Sequence, residues 1–232
     1  MIRTLTVAAA ATALLVSASA ASAQDGTGGN WSFAVGAGTD NRSKAASKSD
    51  GDAYVWGQAQ WETDSGYFYA GPSFETIRSS SGSELELKAS AGIRPEFAGF
   101  NFDLNTAYKH QVDAAPGYDA DAWEFTADMK RSIGPASGRV RVQYSPDGTG
   151  STEAWTWLAA RVGWDFTPRL NASAEIGRRE QDNSIDYTGW NAGFSYALTD
   201  RLEADLRYHA TDVDLPGEQY ADALVAEISL AF

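Results

Sequence analysis

The feature that most constrains this chain is a strict alternation of apolar and polar residues at its end, in residues 223–232. Counting back in steps of two gives only apolar residues: Phe232, Leu230, Ile228, Ala226 and Leu224. The interleaved positions are smaller or polar and include Glu227. A period of two indicates a β-strand with two unlike faces. An aromatic ring at the end of the apolar face is typical of a strand that stops at a bilayer surface.

The same alternation recurs about twelve times between Trp31 and Phe232. The predicted connections alternate strictly between short turns and longer polar loops, as expected of a meander with turns on one side of a membrane and loops on the other. The long connections are predicted at 39–52, 76–83, 111–121, 145–153, 179–186 and 211–222. The sequence therefore predicts an all-β fold, a transmembrane antiparallel up-and-down β-barrel of about 12 strands formed by residues 24–232.

The polar face of these strands carries charge at strand centres, which gives a set of candidate pore-lining residues. They are Lys88, Asp103, Asp128, Lys130, Arg139, Arg141, Arg161, Asp165, Glu175, Asp205, Arg207 and Glu227. A soluble lipocalin-like barrel or periplasmic sandwich would have to bury these ions, and each costs several kcal/mol unless it is well paired. The apolar face instead collects aromatic residues at two levels, near both strand ends, which favours a barrel in lipid.

Residues 1–23 have the pattern of a secretory signal peptide. Arg3 is followed by an apolar run that is too short to span a membrane, and Ala21-Ser-Ala23 forms a small-residue cleavage site. Because all 31 acidic residues lie beyond this segment and only Arg3 is removed, the net charge of −13 becomes −14. This acidity argues against nucleic acid as a partner. The absence of cysteine excludes thiolate metal sites, disulfides and cysteine nucleophiles.

Catalysis is not expected from this sequence. The two histidines are His110 and His209, and the strand register places no serine or aspartate cluster around His209. The acidic loop segments lack EF-hand spacing. We therefore expect no catalytic residues, no metal site and no cofactor.

Several segments resemble a known family. Asp121-Ala-Trp-Glu-Phe125, Val142-Gln-Tyr-Ser-Pro146 and Tyr187-Thr-Gly-Trp190 are similar to segments of the TorF-type porins, a family of bacterial outer-membrane proteins. The chain departs from that family at Gly38-Thr-Asp-Asn-Arg42, where the early Phe-Arg-Gly motif is absent. The closing strand with terminal Phe232 likewise resembles the signal that the outer-membrane assembly machinery recognises. The resemblance implies a porin-like protein and supplies no defined substrate or site.

Together these observations predict an outer-membrane channel for passive diffusion of ions or small hydrophilic solutes. Its partners would be outer-membrane lipid, the assembly machinery and the solute, and both termini would lie in the periplasm. Lys130, Arg139, Arg141 and Arg161 form a basic stripe that faces acids, which would give a weak ion preference. Two alternatives remain open: the charges pair into a network inside a closed structural barrel, or the protein is an adhesin that acts through its extracellular loops.

Overall fold

The computed structural model describes residues 29–232, and all regular secondary structure in this range is β-strand. The strands are β1 (Gly29–Gly38), β2 (Arg42–Ser43), β3 (Ala46–Ser47), β4 (Tyr54–Thr63), β5 (Phe68–Thr76), β6 (Leu85–Ile93), β7 (Glu96–Phe97), β8 (Phe100–Gln111), β9 (Asp121–Ile133), β10 (Ala136–Ser145), β11 (Trp155–Thr167), β12 (Leu170–Gln181), β13 (Tyr187–Ala197), β14 (Leu202–Thr211) and β15 (Ala223–Ala231). No helix long and apolar enough to cross a membrane occurs within residues 29–232. The predicted signal peptide, 1–23, lies outside the described residues.

Twelve of these strands close into one antiparallel barrel. Going around the ring, the order is β1, β4, β5, β6, β8, β9, β10, β11, β12, β13, β14 and β15. The ring closes because β1 pairs with β4 on one side and with β15 on the other; Val35 lies opposite both Gly57 and Leu230. The antiparallel up-and-down barrel of twelve strands predicted from the sequence is confirmed.

The two faces of the barrel are inverted relative to a soluble protein. Large apolar side chains point outward, and Leu224 and Val162 are each 64% exposed. Aromatic residues occupy both rims of this outer face. Those near the short turns are Trp61, Phe68, Phe100, Trp164, Phe166, Tyr196 and Phe232, and those near the long loops are Tyr108, Trp123, Tyr144, Trp190 and Tyr208. An apolar belt between two aromatic girdles is the arrangement of a transmembrane barrel.

The facing of β5 is ambiguous in the sequence because Tyr67-Phe-Tyr69 is continuously aromatic and Pro72 interrupts the alternation. In the structure Tyr69 points into the lumen, where its hydroxyl donates to Asp103 at 2.6 Å, and Phe74 points outward. Pro72 has no N–H to donate, and the pairing of β5 with β4 is interrupted between Ala70 and Ser73.

The connections define two ends of the barrel, the turn end and the loop end. The turns are short, and Gly66 supplies the left-handed residue of the first one, with φ of 67°. The long loops lie at 39–53, 77–84, 112–120, 146–154, 182–186 and 212–222. The first loop, 39–53, differs from the polar connection that the sequence indicates, since it contains the β2–β3 hairpin.

A small hydrophobic cluster fills part of the lumen at the loop end. It consists of Ala46 from the first loop, Trp155, Trp157 and Ala159 of β11, and Tyr187 of β13, with Val213 and Tyr220 of the sixth loop packed against it. The first loop is therefore part of the packed interior rather than an external loop.

Candidate functional site

The first loop lies in the loop end of the barrel and contacts two separate parts of the wall. On one side the Lys48 ammonium bonds the carboxylates of Glu75 on β5 and Glu86 on β6, the latter at 2.9 Å. On the other side the Lys44 ammonium lies 4.3 Å from the ring centre of Trp155 on β11. Three strands separate β6 from β11 along the wall. The loop consequently spans and narrows this mouth of the barrel.

The tip of the hairpin is a two-residue turn with both residues in the left-handed region. Lys44 has φ of 55° and Ala45 has φ of 67°, where such turns usually use Asn-Gly. Each left-handed non-glycine residue costs about 1–3 kcal/mol, so the surroundings must hold the turn in place. The contact is close: a Cβ atom at Gly189 of β13 would lie 2.8 Å from the Ala45 Cβ and 2.8 Å from the Lys44 carbonyl oxygen.

A buried ion pair anchors the base of the hairpin. Arg42 Nε donates to Asp40 at 2.5 Å, and the two side chains are only 2% and 5% exposed. The same guanidinium donates to the carbonyl oxygen of Ala221 in the sixth loop at 2.6 Å. The other Asp40 oxygen accepts hydrogen bonds from Ser47 at 2.5 Å and Ser49 at 3.0 Å. A buried pair whose remaining hydrogen-bonding capacity is satisfied fixes the local geometry.

Below the hairpin, two lysines and three glutamates form the mouth cluster: Lys48, Lys109, Glu75, Glu86 and Glu124. The Lys109 ammonium bridges Glu86 at 3.2 Å and Glu124 at 3.0 Å. Burial opposes the charge on Lys48, but Glu86 and Glu75 outweigh it and raise the pKa of this ammonium above its ordinary value. Each acid of this cluster is therefore paired with a lysine that is already in place, and three glutamates against two lysines leave one net negative charge.

A cavity of about 580 Å³ lies between the first loop and the barrel wall. Its lining is mainly polar and includes Lys44, Arg179 and Tyr187, together with every member of the mouth cluster except Glu75. The Arg179 guanidinium lies 4.5 Å from the ring centre of Trp155, the same residue that Lys44 approaches. Burial lowers the pKa of Lys44 well below the ordinary value of 10.5, against the opposing effect of Glu124.

Most of the predicted pore-lining charges pair with one another, either within one strand or between nearby strands. Arg141 donates two hydrogen bonds to Asp128, at 2.7 and 2.8 Å, and Arg139 bonds Glu175. The Arg141–Asp128 pair is bidentate, and bidentate arginine–carboxylate pairs are stronger than ion pairs joined by a single hydrogen bond. The basic stripe is therefore largely balanced by acids at the same depth, as in the network alternative.

Two more ion pairs lie on either side of this group, one between β8 and β9 and one within β14. The Lys130 ammonium lies 3.4 Å from a carboxylate oxygen of Asp103. Arg207 bonds Asp205 at 3.1 Å and also donates to Asn191 at 2.8 Å. Opposite charges that alternate along the wall leave the lumen without a uniform field.

The remaining candidates have different surroundings. Arg161 donates to the Ser173 hydroxyl at 2.7 Å, and within residues 29–232 it forms no ion pair. The Asp165 carboxylate accepts a hydrogen bond from Asn171 at 2.7 Å near the turn end, and Glu227 accepts one from the Tyr54 hydroxyl. Lys88 lies beside a smaller cavity of about 110 Å³ that Glu75 and Glu86 also line. Whether all these residues line a conducting path stays a prediction.

Three inward-facing glycines are covered rather than open. A Cβ at Gly36 would lie 2.4 Å from the Trp56 ring, and one at Gly177 would lie 2.3 Å from the Trp157 ring. Gly92 is covered in the same way by Tyr69. These glycines let an aromatic ring of the neighbouring strand lie flat on the wall, so they do not widen the lumen.

The two histidines lie apart. His209 is buried in the lumen wall of β14, whereas His110 is an exposed residue of β8 bonded to Asp121 at 2.8 Å. Within the described range, no group of three or more potential metal ligands converges.

A family model described as a bacterial protein of unknown function, Gcw_chp, matches residues 22–230. The chain belongs to this family. No curated protein matches the sequence.

Two solved outer-membrane barrels superpose on most of this chain. The structure titled NanC porin superposes with a TM-score of 0.60 at 8% identity, covering 86% of this chain and 98% of the other. The COG4313 outer membrane channel from Pseudomonas putida F1 superposes with a TM-score of 0.58 at 11% identity, covering 88% and 96%. At these identities the likeness shows that the Gcw_chp chain shares their fold.

Proposed function

We propose that this Gcw_chp protein is an outer-membrane, porin-like channel for passive diffusion of ions or small hydrophilic solutes. The observation that carries the proposal is a closed twelve-stranded barrel with an apolar outside and a charged inside. Twelve strands about 4.8 Å apart and tilted about 40° give a backbone diameter of roughly 24 Å, which leaves a lumen of roughly 10–12 Å between inward side chains. Water and small solutes fit such a lumen.

The first loop would set the size limit, since it crosses the loop end. The closed structural or adhesive alternative rests on the same loop, because a loop that sealed the mouth would leave no path. Two barrels of the same fold carry the names porin and outer membrane channel, and this supports a channel over an adhesin. The resemblance to TorF-type porins supports it as well.

The proposal includes a location and partners. The protein would span the outer membrane, contact its lipid through the apolar belt and be inserted by the outer-membrane assembly machinery. The predicted signal peptide and the short turns support an orientation with both termini in the periplasm. The proposal needs no catalytic activity, cofactor or nucleic acid.

Planar-bilayer recordings of the purified protein test this function. We expect stable single-channel steps, and we expect Arg141→Gln and Arg161→Gln each to shift the reversal potential in a salt gradient toward cation preference, since each removes one positive charge from the lumen. Arg131→Gln is the matched control, because Arg131 lies over the Phe100 ring at the turn end. Absence of steps would refute the channel. Steps whose ion selectivity is unchanged in both variants would show that the basic stripe does not set the ion preference.

A further inference from the structure

The cavity in the mouth is lined by two buried hydrogen-bond donors without acceptors and by one half-buried lysine, Lys44. Arg179 Nε and the Tyr187 O–H are buried, and neither donates a hydrogen bond to an acceptor within residues 29–232, although the Arg179 guanidinium lies beside the Tyr187 oxygen. Tyr187 is only 1% exposed. The Lys44 ammonium forms no ion pair in the same range and faces the Trp155 ring instead. Buried donors without partners cost about 1–3 kcal/mol each, so such a cluster requires an explanation.

The neighbouring acids do not supply the missing acceptors. Glu86 is bonded by Lys48 and Lys109, and Glu124 is bonded by Lys109 and by the Gln143 amide at 3.0 Å. The mouth cluster is therefore occupied, and Lys44 and Arg179 remain as two positive charges over one indole ring.

The geometry keeps Lys44 in this position at a cost. A left-handed tip would be formed more easily by asparagine or glycine than by lysine, and Gly189 is needed for the tip to reach the wall. Burial and the positive charges of Arg179, Lys109 and Lys48 lower the pKa of Lys44, and Glu124 alone does not supply enough counter-charge to restore it. An anion in the cavity would provide that counter-charge.

We propose that Lys44, Arg179 and Tyr187 form a binding site for an oxyanion group, carboxylate or phosphate, on a small hydrophilic solute. The ammonium and the guanidinium supply the charge, and the hydroxyl supplies a neutral donor. The cavity of about 580 Å³ is large enough for a solute of sugar-acid size. The assignment of the ligand as a transported solute rests on the proposed channel function, whereas the binding itself does not.

Isothermal titration of the purified barrel in detergent tests the site. The ligands are sodium gluconate and inorganic phosphate, with glucose as a neutral control. We expect at least one anion to bind and glucose not to bind. Lys44→Gln and Arg179→Gln should each weaken binding by about tenfold or more, and Tyr187→Phe by a smaller factor, since a charged donor contributes more than a neutral one.

Two further variants make the result specific. Lys44→Arg keeps the charge and should retain binding, and Arg131→Gln removes one positive charge outside the lumen and should leave affinity unchanged. Each variant is first shown to be folded by its faster migration on an unheated gel. The proposal is overturned if neither anion binds the wild type, or if both bind the Lys44→Gln and Arg179→Gln variants as tightly as the wild type.

The two proposals fail separately. Channel steps in bilayers without anion binding would overturn the site and leave the channel. Anion binding in detergent without channel steps would overturn the channel and leave the site.

Discussion

At the scale of single residues, the position of the first loop depends on one glycine. We predict that Gly189→Ala loosens the hairpin, because the added Cβ would lie 2.8 Å from both the Ala45 Cβ and the Lys44 carbonyl oxygen. Such overpacking typically costs about 1–3 kcal/mol. Limited trypsin digestion of the folded protein should then cleave the first loop several times faster, after Lys44 or Lys48, as expected from that free-energy change.

Gly138→Ala is the matched control for this prediction. A Cβ at Gly138 would meet only the Arg161 carbonyl oxygen, at 4.0 Å, so this variant should be digested at the wild-type rate. Equal digestion of the Gly189→Ala protein and the wild type would show that the tip does not depend on its contact with β13.

Strand parity predicts which residues point inward but not which ones meet. Asp128 and Arg141 both lie on the polar face in the sequence, yet only the register of β9 against β10 places them opposite each other. Arg179 is assigned to a loop by the sequence pattern, whereas β12 extends to Gln181, so continuing the alternation beyond Gly177 would have placed it inward. Lys44 has no such signal, because a two-residue tip has no periodicity.

At the scale of elements, β15 joins the two ends of the sheet. The backbone N–H of Phe232 donates to the Phe33 carbonyl oxygen at 2.9 Å, and the Phe33 N–H donates back to the Phe232 carbonyl oxygen at 2.9 Å. Their rings stack with centroids 6.2 Å apart on the outer face. Phe232 thus continues the β1–β15 seam by one residue pair beyond the strand.

We predict that Phe232→Glu lowers assembly into the outer membrane far more than Glu227→Gln. The first change puts a charge on the lipid-facing side of the seam, which costs about 0–1 kcal/mol near an interface, and it also removes the ring that stacks on Phe33. The second change removes a negative charge from the lumen and leaves an amide oxygen that can still accept from the Tyr54 hydroxyl. The measurement is the heat-modifiable fraction of each variant in isolated outer membranes. Equal fractions would show that the terminal aromatic residue has no special role.

The elements differ in how well the sequence predicts them. Long strands with apolar residues on one face are recognisable from their period. The start of β10 cannot be read from the sequence. Gly134 and Gly138 indicate a turn between them, and Ser137 and Gly138 give no apolar signal, yet the strand begins at Ala136. The β2–β3 hairpin has too few residues to show a period, and its tertiary contacts hold it in place.

At the scale of the whole molecule, one inverted pattern explains the fold. The apolar outer face is stabilised by contact with lipid, and the charges of the inner face pair with one another. Closure of the barrel removes the free strand edges that an open sheet would expose. The interior of the mouth depends on contacts between residues far apart in the chain, such as Arg42 with Ala221. No local pattern encodes such contacts, so the sequence predicts the barrel but not how its own first loop narrows it.

The central claim, a conducting barrel whose mouth is narrowed by the first loop, is tested most directly by single-channel conductance. The wild type is compared with a variant that lacks residues 42–47 and with a control that lacks residues 114–117 of the third loop, which do not line the mouth cavity. We predict steps in all three proteins, with a larger conductance only where residues 42–47 are missing. A wild type without steps, or equal conductance in all three, would contradict this claim.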